Sequence, residues 1–248
     1  MHLAWDDEFS GSTLDSAKWT ALNNSTFGDG NNELACLMQN NVHVSGGVLT
    51  IAAQRAAAPV TCGSNDTRFP NGRSYTSGFI QTYDKATFEY GRFEIRAELP
   101  TIPGQSAGLW PAFWLRPESG GLGELDSFEV SGSDATSPAS ANTIGETIHY
   151  DYIGTHPQQR EDYVGSGLSS AFHTYAVDWE PGSIKWYVDG KLTYERNRTT
   201  TPWIDQAFSG KFYLRLNLAV GGNGVGAPTS TTVLPGNLRV DWVRVYQH

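Results

Sequence analysis

Two cysteines, two methionines and six histidines are all that the 248 residues contain, and they form no Cys/His cluster with the spacing of a zinc site. Charge is scarce too. Only 17% of residues are charged, and 26 Asp and Glu outnumber 17 Lys and Arg, for a net charge of −9 and a pI near 5.1. A surface of that sign repels phosphate backbones, which excludes nucleic acid as a partner. It also argues against sulfated polysaccharides, which call for Lys and Arg in a cleft. No apolar run approaches the roughly 20 residues of a membrane-spanning helix, so no membrane association is expected. No stretch keeps a helical period, and no repeat of roughly 20–50 residues recurs. Met1-His2-Leu3 runs straight into a domain-like start with no leader peptide, as in a mature form carrying an added Met or in an intracellular protein.

What the chain has instead is glycine (27 residues), aromatics (12%), and many short alternating segments between Gly/Pro turns. Phe93, Ile95, Ala97 and Leu99 alternate with Arg92, Glu94, Arg96 and Glu98, the mark of a half-buried strand. Ile184, Trp186 and Val188 alternate with Lys185 and Tyr187, and Asp189-Gly190 supplies a two-residue hairpin turn within Tyr175 to Tyr194. Phe212, Leu214, Leu216 and Leu218 oppose Tyr213, Arg215 and Asn217, and the closing strand is Leu238 to Tyr246. One all-β domain over residues 1–248, a sandwich of two antiparallel sheets, is the architecture this pattern predicts. After the strand Gly47 to Ala53, a loop of about 20 residues through Pro59, Cys62, Pro70 and Gly72 has no pattern of its own, as functional or pinned loops often do not. Cys36 and Cys62 make one pair, to be read as a disulfide or as two small buried thiols; a secreted chain favours the bridge.

The stretch Gly123-Glu124-Leu125-Asp126-Ser127-Phe128-Glu129-Val130 carries the chemistry. On a regular strand, residues two apart share a face, which puts Glu124 and Asp126 together and turns Glu129 away. A bulge near Ser127 or Phe128 inserts one residue, resets the alternation and brings Glu129 back. Three converging carboxylates supply a nucleophile, a proton donor and a third acid that holds the first two in different ionisation states. Standing alone, acids alternating along a strand more often form a solvated face.

They do not stand alone. With Trp110-Pro111-Ala112-Phe113-Trp114-Leu115 upstream, the acid stretch resembles the signature of glycoside hydrolase family 16. The spacing Glu-x-Asp-x-x-Glu is most similar to the laminarinase branch, which acts on β-1,3-glucans. The likeness runs from Trp5-Asp6-Asp7-Glu8-Phe9 through Asn31-Asn32-Glu33-Leu34 and Tyr90 to Ala97 as far as Tyr246. The resemblance implies a concanavalin A-like jelly roll with a concave cleft, retaining hydrolysis, Glu124 as nucleophile, Glu129 as acid and base, and Asp126 between them. It implies sugar contacts at Trp110, Trp114, His149 and Asn32. It further implies a structural calcium held by Glu8, the Gly47 carbonyl and Asp241, with no cofactor for catalysis, a neutral β-glucan as partner, a monomer and a secreted setting. One departure is Phe79, where members often carry a sugar-contacting Arg after Ser77-Gly78. Rival readings on the same scaffold are a mixed-linkage glucanase, a galactan or agar hydrolase and a transglycosylase. A lectin-like binding module is the non-enzymatic rival, which the intact acid triplet argues against.

Overall fold

The computed structural model describes the whole chain, Met1–His248. Its strands arise where apolar residues recur at every second position. In Gly91–Glu98, Phe93, Ile95 and Ala97 are fully buried while Arg92, Glu94 and Arg96 point outward. The strands stack as two sheets. The larger follows the order Lys191–Asn197, Ser183–Val188, His173–Glu180, Gly91–Glu98, Gly236–Gln247, Val48–Val60, Arg73–Ser77 and Ala35–Leu37. His2–Asp7 pairs with its closing strand and Val42–Ser45 with Val48–Val60. The other sheet has seven strands in the order Gln159–Val164, Thr143–His149, Glu124–Val130, Leu109–Pro117, Phe212–Val220, Phe79–Gln81 and Thr20–Ala21.

This is the two-sheet sandwich that the alternation predicts, with one departure: Ala35–Leu37 pairs with Arg73–Ser77 in parallel. A 41-residue apolar cluster fills the space between the sheets and includes Phe93, Phe113, Phe128, Trp179 and Trp186. Each large side chain so buried is worth about 1.5–3 kcal/mol against its exposed state. Helix is confined to Ile204–Ala207 and three short 3-10 turns, and no helix is long and apolar enough to cross a membrane. Asp189 and Gly190 take φ of 50° and 76°, the left-handed pair that a two-residue hairpin turn requires.

The segment after Ala53 differs from the sequence expectation. The strand continues to Val60, through the Ala56-Ala57-Ala58-Pro59 run, and pairs with Arg73–Ser77 across an irregular register between Arg55 and Val60. Only Thr61 to Gly72 is loop. Cys36 and Cys62, 26 positions apart in sequence, are disulfide-bonded with Cα atoms 5.6 Å apart, a closure worth about 3 kcal/mol by chain entropy. Beside the bridge, fully buried Arg73 donates to Asp66 (2.6 Å) and Asp29 (2.7 Å), and Arg68 donates to Asp29 (2.7 Å). Together they tie the segment from Phe27 to Glu33 to the start of Arg73–Ser77, in the larger sheet.

Candidate active site

Across Glu124–Val130, Asp126 faces Thr147 on one neighbouring strand and Trp114 on the other. The next partners are Glu129 with Gly145 and Phe128 with Phe113. One residue of the acid strand is therefore extra, and it is Ser127. Before the bulge Leu125 points into the core; after it Phe128 and Val130 do, all three fully buried. Glu124, Asp126 and Glu129 thus all face the cleft, a cavity of about 1030 Å³ on the outer side of the sheet. The bulge is held from behind. Trp186, from the other sheet, donates its indole N–H to the Asp126 carbonyl at 2.8 Å. The start of the strand is fixed by Gly123, at φ +98°, where a Cβ would lie 2.1 Å from the Ala207 carbonyl oxygen. The Gly123 carbonyl accepts from Arg116 at 2.6 Å.

The two glutamates have different surroundings. Burial, and then the neighbouring Asp126, raises the pKa of both, Glu129 to about 8 and Glu124 to about 7. Glu124 has three groups that favour its charged form: His149 Nε2 at 3.6 Å from Oε1, Arg116 Nε at 3.9 Å from Oε2, and the Tyr152 hydroxyl, which donates to Oε2. Glu129 accepts one hydrogen bond, from Trp110 Nε1 (3.1 Å), and has Arg160 at 3.8 Å. It feels both Asp126 and Glu124 as like charges. Glu124 is thereby biased toward carboxylate and Glu129 toward carboxylic acid. His149 bonds Asp126 Oδ2 at 3.2 Å. Burial disfavours the imidazolium, but the three acids outweigh it and raise the His149 pKa to about 9, so this ring is a cation at neutral pH.

Trp110 and Trp114, four apart on Leu109–Pro117, both line the cleft, as their shared strand face predicts. Trp114 donates to Asn217 Oδ1 at 2.8 Å, and the Arg215 guanidinium lies 4.5 Å from its ring centre. Asn32 is placed otherwise. Its side chain is exposed and donates to Asn223 Oδ1 at 2.9 Å, while Asn31, Glu33 and Asn223 form the cleft wall. Five groups at the site escape a reading of the motif alone: Arg116, Arg160, Arg215, Tyr152 and Trp186. Trp186 had one readable signal, since a buried indole N–H in an apolar strand needs an acceptor.

The residues expected to hold calcium do not fit it. Glu8 accepts from Arg244 through both oxygens, at 2.7 and 3.0 Å. Asp241, the extra residue of a second bulge between Val240 and Trp242, pairs with Arg96. Gly47 occupies the tight Gly46-Gly47 turn at φ +77°. Both carboxylates are already matched by a guanidinium, which leaves no charge for a divalent ion to neutralise. Glu124, Asp126 and His149 also converge, with His149 Nε2 bonded to Asp126 and Arg116 beside Glu124.

Comparison with known proteins agrees with this geometry. Residues 23–244 match the family described as Glycosyl hydrolases family 16. The chain is 37% identical to the glucan endo-1,3-beta-glucosidase A1 of Niallia circulans, over its full length and 38% of that protein. It therefore spans well under half of that relative. It is 34% identical to the beta-glucanase of Rhodothermus marinus over 99% of the chain and 85% of that protein. The endo-beta-1,3-glucanase of Pyrococcus furiosus superposes with a TM-score of 0.84 at 32% identity, covering 99% of this chain and 94% of that one. With its bulged acid strand on the cleft face of a two-sheet sandwich, the chain belongs to glycosyl hydrolase family 16.

Proposed function

We propose that the protein is a retaining endo-glycosidase that hydrolyses internal β-1,3-glucosidic bonds of laminarin-type glucans. The observation that carries this reading is the bulge at Ser127, which puts Glu124, Asp126 and Glu129 on one face and gives the two glutamates opposite ionisation biases. The names of the similar proteins support β-1,3-glucan as the substrate.

In the first step Glu124 attacks the anomeric carbon, and the bond to the leaving oxygen breaks as Glu129 protonates that oxygen. Glu129, now a carboxylate, takes a proton from water, whose oxygen attacks the same carbon and releases Glu124. Asp126 supplies the negative charge that keeps Glu129 protonated until the first step, and His149 offsets that charge on the Glu124 side. Trp110 fixes one oxygen of Glu129, so the proton is carried on the other. The disulfide supports an oxidising, extracellular place of work.

Proton NMR of the first product released from laminarin tests the proposal, with lichenan, agarose and galactan as competing substrates. The β-anomer is expected. An α-anomer as first product would make the mechanism inverting and remove Glu124 from the nucleophile role. With Glu124→Ala, added azide should restore turnover as the α-glycosyl azide; with Glu129→Ala, azide should trap the β-product.

A further inference from the structure

The cleft holds one cation that the hydrolytic steps do not use. Arg116 and Arg160 each face a catalytic glutamate, at 3.9 and 3.8 Å. Arg215 has no carboxylate partner. Its guanidinium sits among four rings, with its centre 4.5 Å from Trp114, 4.9 Å from Tyr213, 5.0 Å from Phe27 and 5.9 Å from Phe79. It donates to the Tyr213 hydroxyl, while its Nε is buried without a partner. Aromatic faces attract a cation but offer no acceptor in the plane of the guanidinium fork. The buried Nε is closed to a ligand, so what is left for one is the Nη end of the fork, on the cleft side.

Its place in the sheet gives the partner's chemistry. Arg215 pairs across with Trp114, and Tyr213, one step along on the same face, pairs with Arg116. Two guanidiniums thus occupy diagonal positions on one cleft wall; burial first, and then Arg116, lower the pKa of Arg215, while Tyr213 and the Glu124 carboxylate oppose that shift. A guanidinium stays charged even so. An unmatched cation beside a second cation, in a protein of net charge −9, is an arrangement that an anion relieves. A neutral sugar hydroxyl fills a hydrogen-bond position but leaves the charge as it was.

We infer that Arg215, with Arg116 beside it, forms a subsite for an acidic substituent on the glucan, either a carboxylate or a sulfate ester. The planar fork meets either group through two parallel N–H donations. Trp114 pairs with Asp126 and Arg215 with Trp114, so Arg215 lies two strands from the acids, on the Phe79 side of the cleft. The inference rests on the glucanase reading for its backbone and narrows the substrate to chains with sparse acidic groups. It also reverses the expectation, drawn from overall charge, that the cleft has no arginine to spare.

The test is kcat/KM on three linear β-1,3-glucans: unsubstituted, lightly carboxymethylated and lightly sulfated. The readout is the ratio of substituted to unsubstituted. In Arg215→Gln that ratio should fall about 10-fold or more, the scale of one lost charge-assisted pair. Arg215→Lys should keep part of it, and added salt should lower it in the wild type. A fall on only one acidic polymer identifies which group is read. A ratio unchanged in Arg215→Gln, or insensitive to salt in the wild type, overturns the subsite and leaves Arg215 as a brace for Trp114. The salt series needs no variant, so it decides the matter even if Arg215→Gln does not fold. Failure of the wild type on all three polymers would instead count against the glucanase reading itself.

Discussion

Two strands of this protein carry a bulge at or beside an acid, and the two bulges do different things. The bulge at Ser127 returns Glu129 to the side of Glu124 and Asp126, in a buried row where like charges face one another. The bulge in the closing strand turns Asp241 outward to Arg96, where both side chains are more than a third exposed to solvent. Backbone geometry is alike in kind; environment separates them. A carboxylate with its own arginine at the surface is electrostatically finished. Carboxylates buried together, with fewer cations than they need, share protons, and shared protons can be moved.

Removing the acid that the first bulge turns into the cleft should have the largest effect. Glu129→Gln keeps the shape of the side chain and an acceptor for Trp110 but has no proton to give. Laminarin hydrolysis should drop about 10³-fold, on the scale of losing a general acid, while the melting temperature changes little. Retention of more than a tenth of the activity would show that Glu129 is not the proton donor.

Removing the support behind the bulge comes next. Trp186→Phe keeps most of the ring but leaves the Asp126 carbonyl without its donor, at a cost of about 1–3 kcal/mol in stability. Turnover should fall more than substrate affinity, because the groups displaced are those that react. Equal changes in kcat and KM would place Trp186 in general packing alone.

A pH effect of intermediate size follows from another buried acid. Glu146 lies between the sheets, accepts from Thr193 at 2.6 Å, and has its second oxygen unpaired. Burial raises its pKa from 4.5 to about 7, with Thr193 opposing and Glu161 adding to the shift. The fold therefore favours the neutral acid. That stability is complete below the unfolded value near 4.5 and is lost as pH rises from there through about 7. Glu146→Gln, which mimics the neutral acid, should match the wild type at pH 4. It should gain on it up to pH 7 and above, by at most about 3 kcal/mol. Melting curves from pH 4 to about 8 check this; a constant difference across the range would remove the titration.

The smallest effect should come from the second bulge. Asp241→Asn removes a partly exposed pair and should cost less than about 1 kcal/mol. Excess chelator should leave the melting temperature of the wild type unchanged. A clear drop in chelator would show that a cation displaces Arg96 and Arg244 after all.

The sequence carried the strands and the acids further than it carried their surroundings. Period-two alternation identifies Gly91–Glu98 and Ser183–Val188 because one face of each meets the core. The odd position of Glu129 points to a bulge before any register is known. The continuation to Val60 is not legible, because Ala56-Ala57-Ala58-Pro59 pairs irregularly and shows no alternation. Nor are the partners that set charge. Tyr152 comes from a loop, Arg160 from an edge strand and Trp186 from the opposite sheet, and none has a fixed spacing from the acids. Asn32, expected among the sugar contacts, is instead an exposed tie to Asn223, 191 positions away, which no local pattern announces. The arginine partners of Glu8 and Asp241 are equally illegible, since Arg244 is far from Glu8 in sequence and Arg96 is far from Asp241.

The indole of Trp186 has one further consequence. Its hydrogen bond crosses the whole thickness of the sandwich, so the acid strand registers how the two sheets sit on each other. A shift of one sheet by an ångström or so, small enough to leave every strand intact, would break that 2.8 Å contact and free the bulge to relax. Catalytic rate is then a gauge of inter-sheet alignment. On gentle heating it should fade before circular dichroism reports any loss of strand, and substitutions in the apolar layer far from any sugar should be felt first in turnover.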